Sequence, residues 1–313
     1  MSALRVTVTG ATGLIGPTLL AALGEQQAHV TVLSRDPVRA GARLNRSGSA
    51  SVEAVRWDPT SEPVPVEALT GRDAVVHLAG ENVAQRWTPK ARAAIRDSRV
   101  IGTRNLVEGL RSAESPPRTL ISASAVGYYG PQGEEPLDED APPGVDFLAG
   151  VCAAWEAEAE RAAELQIRVV RVRTGVVLDR NGGALATMLP AFRLGVGGPV
   201  AGGRQYVSWI GRDDLVGMMM AALEDERWTG PVNATAPVPV TNREFSRALG
   251  RVLRRPSLLP VPAFALRALY GEMAEIVTGG ARVVPAKPLV LGYRFRRPEL
   301  EEALRSAITG GQE

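Results

Sequence analysis

Apolar and polar residues alternate from the start of the chain. Leu4, Val6 and Val8 fall between Arg5, Thr7 and Thr9, a period of two in a β-branched run that predicts a strand. After Gly16 the period changes to that of a helix, with Ile15, Leu19 and Leu23 on one face. Pro17 suits the first turn of that helix, where its missing N–H costs nothing. His29–Leu33 is a second strand, and a helix between two strands places them parallel and adjacent. Further strands are predicted at Val52–Trp57, Asp73–Gly80, Arg118–Ser124, Ile167–Leu178 and Gly230–Thr235. Residues 88–112 form a long helix opened by Thr88-Pro89, Asp213 caps an apolar helix through Leu223, and Thr241-Asn-Arg-Glu244 is a capping box. Arg43–Ser51 is polar and reads as loop. The glycine-rich stretch 182–203, with Met188, Leu189, Phe192 and Leu194, leaves the sheet and walls a cleft. Strands alternating with helices predict an α/β fold, a doubly wound parallel sheet with a smaller C-terminal lobe.

The turn from the first strand to the first helix carries candidate chemistry. Glycines at 10, 13 and 16 let the chain turn sharply, let backbone N–H groups approach a pyrophosphate and let the helix pack close on the strand. The helix N-terminus adds about half a positive charge. A plain strand–helix turn would also use glycine, but three at this spacing point to dinucleotide binding, with Gly10, Thr12, Gly13, Leu14, Ile15 and Gly16 as contacts. On this reading residues 1–180 and 206–237 form the dinucleotide-binding domain, and 181–205 with 238–313 the substrate-side domain.

The second strand ends where the adenosine ribose would lie. An unphosphorylated ribose is usually met there by an acid, whereas this chain has Ser34-Arg35. Arg35 can form charge-assisted bonds to a 2′-phosphate worth about 1.5–3 kcal/mol each, so the expected cofactor is NADP(H), with Arg39 one turn on as a second cation. Asp36 before Pro37 reads as a helix N-cap, although as a ribose ligand it would favour NAD. Asp58 accepts from the adenine amino group or merely starts a turn. Leu78, Ala79 and Gly80 end the fourth strand where the backbone can approach a cofactor, and His77 inside that strand reads as core. Of Arg92, Arg96, Arg99 and Arg104 on the long helix, Arg99 is aimed at the cofactor and the others at solvent.

Composition narrows the class. A chain of 313 residues, 45% hydrophobic and 22% charged, is globular with room for a substantial core. No apolar run approaches the roughly 20 residues that cross a bilayer, and the first strand starts too near Met1 for a signal peptide, so a cytoplasmic protein without a membrane partner is expected. The single Cys152 excludes an internal disulfide, and with only His29 and His77 no metal site is expected. A net charge of +2 does not point to nucleic acid. Every basic residue is arginine except Lys90 and Lys287.

Thr9–Gly16, His77–Gly80, Ser122–Gly130 and Arg173–Leu178 resemble the extended short-chain dehydrogenase/reductase superfamily, which includes nucleotide-sugar epimerases and dehydratases. Ala79-Gly80-Glu81-Asn82, Arg86-Trp87, Trp155-Glu156, Phe192-Arg-Leu-Gly195, Gly197-Gly198-Pro199 and Asn233-Ala-Thr-Ala-Pro237 are similar to its atypical, NAD-dependent epimerase/dehydratase-like branch, which carries a C-terminal domain of unknown function. The similarity spans essentially the whole chain and implies a Rossmann fold. It further implies that Ser122 and Val177 lie at the cofactor and that Ser124 matches the superfamily serine.

One departure limits what carries over. Those enzymes use Ser, Tyr and Lys, with Lys four residues after Tyr, so that the ammonium lowers the tyrosine pKa and binds the nicotinamide ribose. Neither lysine follows any of the five tyrosines at that spacing. If Glu156 holds the usual acidic position of that helix, the Tyr and Lys places fall on Leu148 and Cys152. Cys152 could be a nucleophile, but no base neighbours it in sequence, and a small buried residue is the preferred reading. Ser124 and Tyr128 remain as the candidate catalytic pair. The expected function is an NADP(H)-binding, epimerase-like oxidoreductase on a small molecule, with a homodimer as candidate assembly; a sensor or scaffold without hydride transfer is the alternative. The C-terminal lobe, with Arg254-Arg255 and Arg294–Arg297, reads as a basic solvated face or as a contact for an anionic ligand or a subunit.

Overall fold

The computed structural model describes residues 3–45 and 52–310. Its first half runs β1 (Arg5–Thr9), α1 (Gly16–Glu25), β2 (His29–Ser34), α2 (Pro37–Asn45), β3 (Val52–Arg56), β4 (Ala74–His77), α3 (Pro89–Ser112), β5 (Thr119–Ala125), β6 (Pro136–Leu137) and α4 (Phe147–Glu160). There follow β7 (Arg168–Thr174), β8 (Val176–Leu178), α5 (Gly183–Arg193), β9 (Tyr206–Val207), β10 (Trp209–Gly211), α6 (Arg212–Glu224), β11 (Gly230–Ala234), β12 (Val240–Thr241) and α7 (Asn242–Leu253). The last stretch adds α8 (Ala263–Tyr270), α9 (Ala274–Thr278), β13 (Arg282–Val283), α10 (Ala286–Val290) and α11 (Leu300–Thr309).

Seven parallel strands form the central sheet in the order β11-β7-β5-β4-β1-β2-β3. The apolar face of α1 (Leu19, Leu20, Leu23) and that of α6 (Leu215, Met218, Met219) cover one side, on Val6, Val8 and Val32. Leu106, Val107 and Leu110 of α3 cover the other, on Val75 and Leu120. The strand order reverses between β1 and β4, and that divergence opens a crevice at the carboxyl ends of the strands. A separate core of Leu185, Leu189, Phe192, Phe245, Leu249 and Leu304 joins α5, α7 and α11 into the C-terminal lobe.

Several local expectations hold. Thr88 caps α3 by accepting the Ala91 N–H at 3.1 Å, and the Thr241–Glu244 capping box opens α7. Others are corrected. Arg43 is helical, because the Asp36 carboxylate accepts the Arg39 N–H at 3.0 Å and starts α2 at Pro37; residues 46–51 lie outside the described set. Gly211, not Asp213, is the N-cap of α6, and Asp213 sits in the first turn paired with Arg297 at 3.1 Å. The sixth strand breaks at Gly175, where any Cβ would overlap the Ser208 carbonyl oxygen. Beyond the break, β8 leaves the main sheet and pairs with β10. The glycine-rich 182–203 stretch does leave the sheet, but its first half is the helix α5.

Candidate functional site

The crevice is a cleft of about 740 Å³ whose floor is the β1–α1 turn. Gly10 has φ +67°, and a Cβ there would lie 2.6 Å from the Leu78 carbonyl carbon, so only glycine fits. Gly16 is pressed onto the Ala11 backbone, which lets α1 begin directly behind the turn. Gly13 differs from both. A Cβ on it would meet nothing but the Gly10 carbonyl oxygen, at 3.1 Å, and Gly13 lines the cleft. The cradle is therefore open on the face a pyrophosphate would approach, at the N-terminus of a ten-residue helix.

One wall comes from β2 and α2. Ser34, Arg35, Arg39 and Arg43 all line it, the three arginines following one another at helical spacing. The Ser34 hydroxyl is folded onto the Asp36 backbone, and the Asp36 carboxylate is held by its capping bond. Asp58 lines the cleft and starts a turn. The Thr60 N–H it accepts, at 3.1 Å, holds its carboxyl below the usual range. The opposite wall is Leu78, Ala79 and Gly80, faced by Ala94, Asp97, Ser98 and Ile101 of α3. Ser98 ties the two together by accepting the Glu81 N–H at 2.9 Å.

Not every expected contact lines this cleft. Ile15 and Gly16 form the start of α1 behind the turn. Leu14 lies under the Gly182-Gly183 pair at the N-terminus of α5, and Gly183 also approaches the Val177 carbonyl. Ser122 is buried in β5 opposite His77, its hydroxyl on the Ala123 carbonyl at 3.3 Å. Arg99 stands behind Gly80, not in the cleft, donating from Nη1 to the carbonyls of Glu81 (3.0 Å) and Ile95 (3.1 Å) and stacking 5.2 Å from the Trp155 ring. Burial lowers its pKa.

The candidate catalytic pair belongs to a buried polar network. Ser124 donates to Glu156 Oε1 at 2.6 Å, and Glu156 is gripped by Arg173 through two bonds of 2.8 and 2.9 Å. Arg173 also donates to the Tyr129 hydroxyl at 2.8 Å, and its guanidinium covers the Tyr128 ring at 3.5 Å. Burial alone would lower the Arg173 pKa, but its bonds to Glu156 hold it above the usual value. Tyr129 continues the chain to Asn233 at 2.7 Å. The Glu139 carboxylate then accepts the backbone N–H groups of Asn233 (3.0 Å) and Lys287 (3.1 Å). Leu148 and Cys152 lie one turn apart on α4, both against Gly127, and burial pushes the Cys152 thiol up to about 12. A thiol so placed stays protonated at neutral pH and is not a nucleophile.

The position of Arg43 in the cleft was hidden by its assignment to a loop; the i, i+4, i+8 spacing of Arg35, Arg39 and Arg43 is the signal that exposes it. The Glu156–Arg173 pair has no comparable local signal.

A family model of the NAD dependent epimerase/dehydratase family matches residues 6–233. The chain belongs to that family. A second model, a domain of unknown function (DUF1731), matches residues 261–307. Among relatives in the family, the epimerase family protein SDR39U1 homolog of Arabidopsis thaliana, described as chloroplastic, is 40% identical over 312 residues, covering 98% of this chain and 87% of its own. The epimerase family protein YfhF of Bacillus subtilis is 35% identical over 306 residues, covering 97% and 98%. The crystal structure of human epimerase family protein SDR39U1 with NADPH superposes with a TM-score of 0.84 at 35% identity, covering 98% of this chain and 99% of the human one.

Proposed function

We propose that this family member binds NADP(H) in the β1–β4 cleft and exchanges hydride with a small molecule. The arginine row running from the β2–α2 turn along α2 carries the reading. Arg35, Arg39 and Arg43 border the cleft, and the acids beside them are both engaged, Asp36 in capping the helix and Asp58 in the turn to Thr60. Three cations at this place suit a 2′-phosphate and leave an unphosphorylated ribose without its usual carboxylate partner. The likeness to the human relative solved with NADPH supports the same cofactor. Gly13 supplies the close approach a pyrophosphate needs, and Gly10 holds the turn that presents it.

The bound nicotinamide would supply the hydride donor or acceptor. The chain's own contribution is proton management without a Tyr–Lys pair, since neither lysine follows a tyrosine at that spacing. Tyr128 is the hydroxyl assigned to the substrate, its ring held by Arg173, while Ser124 is assigned to proton exchange with Glu156. A second reading, a cofactor-binding sensor without turnover, draws on the same network, because a serine bonded to a buried carboxylate is already satisfied.

Fluorescence titration with NADPH and NADH tests the cofactor assignment. NADPH binds at least about tenfold more tightly in the parent, and Arg35→Ala with Arg39→Ala removes that preference. Equal affinities in the parent reject it. Incubating the NADPH complex with a panel of carbonyl metabolites, followed by absorbance at the nicotinamide band, separates enzyme from sensor.

A further inference from the structure

Following α5 and α7, two loops run side by side and expose leucines next to arginines. Val200 pairs with Val261 in a parallel bridge, the Gly198 backbone packs on that of Leu259, and a Cβ on Gly195 would lie 3.4 Å from Pro256. The segments that follow α5 and α7 are thus one surface. Leu194 and Leu258 are 79% and 80% exposed, Val196 and Leu259 more than half, and Phe264 projects from the first turn of α8. Single exposed apolar residues need no explanation, but a contiguous set with prolines at 256, 260 and 262 marks a contact surface.

Its charge identifies the contact. Arg247, Arg251, Arg254 and Arg255 surround a shallow groove of about 370 Å³ with Ser257 and Leu258, and Arg193 stands beside Leu194. The nearby acids neutralise only part of it. Glu301 pairs with Arg251 at 2.7 Å, and Glu244 is bonded to Thr241 in the capping box, although it also faces Arg247 at longer range. Among the described residues, Arg193, Arg247, Arg254 and Arg255 have no carboxylate within ion-pair distance.

We propose that this face docks on the surface of an anionic lipid bilayer. Leucines that enter the acyl boundary while arginines above them meet phosphate headgroups satisfy both halves of the patch at once. Against a second copy in a two-fold contact, the arginines would face their own equivalents. Along a nucleic acid backbone, the leucines would gain nothing. No described helix is long and apolar enough to cross a membrane, and a surface-lying contact needs none. The eleven residues of α5, roughly 16 Å of helix, separate the patch from the Gly182-Gly183 end that covers Leu14.

Flotation of the full chain with vesicles of phosphatidylcholine alone, or of phosphatidylcholine mixed with phosphatidylglycerol, tests the proposal, with circular dichroism melting as the check on folding. The parent floats with the anionic vesicles only, and less so at high salt. Leu258→Ser with Leu259→Ser, and separately Arg193→Glu with Arg255→Glu, each lower the bound fraction by about tenfold or more without shifting the melt. Lack of flotation with anionic vesicles overturns it. So does loss in the arginine variant alone, which would mark a general polyanion site, or a dimer in sedimentation that the leucine variant dissolves.

Discussion

Thr9 Oγ1 lies 2.7 Å from His77 Nδ1 and accepts the N–H groups of both Leu78 and Ala79 at 3.1 Å. With both acceptor positions taken, the Thr9 proton points at Nδ1. That fixes the neutral ring with its proton on Nε2, donated to Thr103 at 3.1 Å. Two buried side chains thereby hold the backbone that walls the cleft.

Burial pushes the His77 pKa down to about 4. Between that value and the unfolded value of about 6.5, the unfolded chain binds a proton that the folded chain refuses, so stability falls as pH drops through this window. The loss approaches roughly 3 kcal/mol near pH 4, and above about pH 6.5 this group adds no slope. Urea unfolding of the parent and of His77→Gln at neutral and mildly acid pH checks it: the parent curve is the steeper of the two.

Gly13 and Gly16 separate binding from folding. Gly16→Ala overlaps the Ala11 backbone and lowers the melting temperature by several degrees, whereas Gly13→Val projects into open cleft. The expected result for Gly13→Val is a near-parental melt with cofactor affinity lost. An unchanged cofactor titration would relocate the pyrophosphate site.

Arg173→Met leaves the buried Glu156 carboxylate with only the more distant Arg171, 3.8 Å away, as a cation, and costs up to about 3–5 kcal/mol. Glu156→Leu combined with Arg173→Met recovers part of that loss, because no uncompensated charge remains. Denaturant midpoints of the two proteins decide the point.

If hydride transfer is found, Tyr128→Phe and Ser124→Ala each lower turnover, by up to the factor of about 10²–10⁴ that acid–base help contributes, with NADPH affinity nearly unchanged. Turnover at the parental rate in both variants would make them structural. Activity appearing only in Leu148→Tyr with Cys152→Lys would favour the sensor reading.

What was legible in the chain was whatever repeats locally. The alternation at Leu4–Thr9, the glycine turn and the Thr241–Glu244 box each depend on neighbours within a few residues, and each formed as expected. The α2 helix was truncated because its apolar contacts, Ala40 and Leu44, are sparse among polar residues, so periodicity ended before the helix did. The break at Gly175 depends on the Ser208 carbonyl, and the Arg173–Glu156 grip joins two elements through the interior. Neither leaves a spacing that can be counted along the chain. Nothing in the local sequence of Arg99 shows its two carbonyl partners, Glu81 and Ile95, which hold it behind Gly80.

Glu139 sets an order on the making of this protein. Its buried carboxylate is satisfied by amides of residues 233 and 287, so a growing chain that has made only the first six strands of the sheet does not yet contain either donor. Burial raises its pKa and those two N–H groups pull it back, which means the acid is easiest to ionise in place only after residue 287 has emerged. The segment matched by the domain of unknown function thus completes the hydrogen bonding of an acid buried in the nucleotide-binding half, and a chain stopped before it would lack the Lys287 N–H that Glu139 accepts.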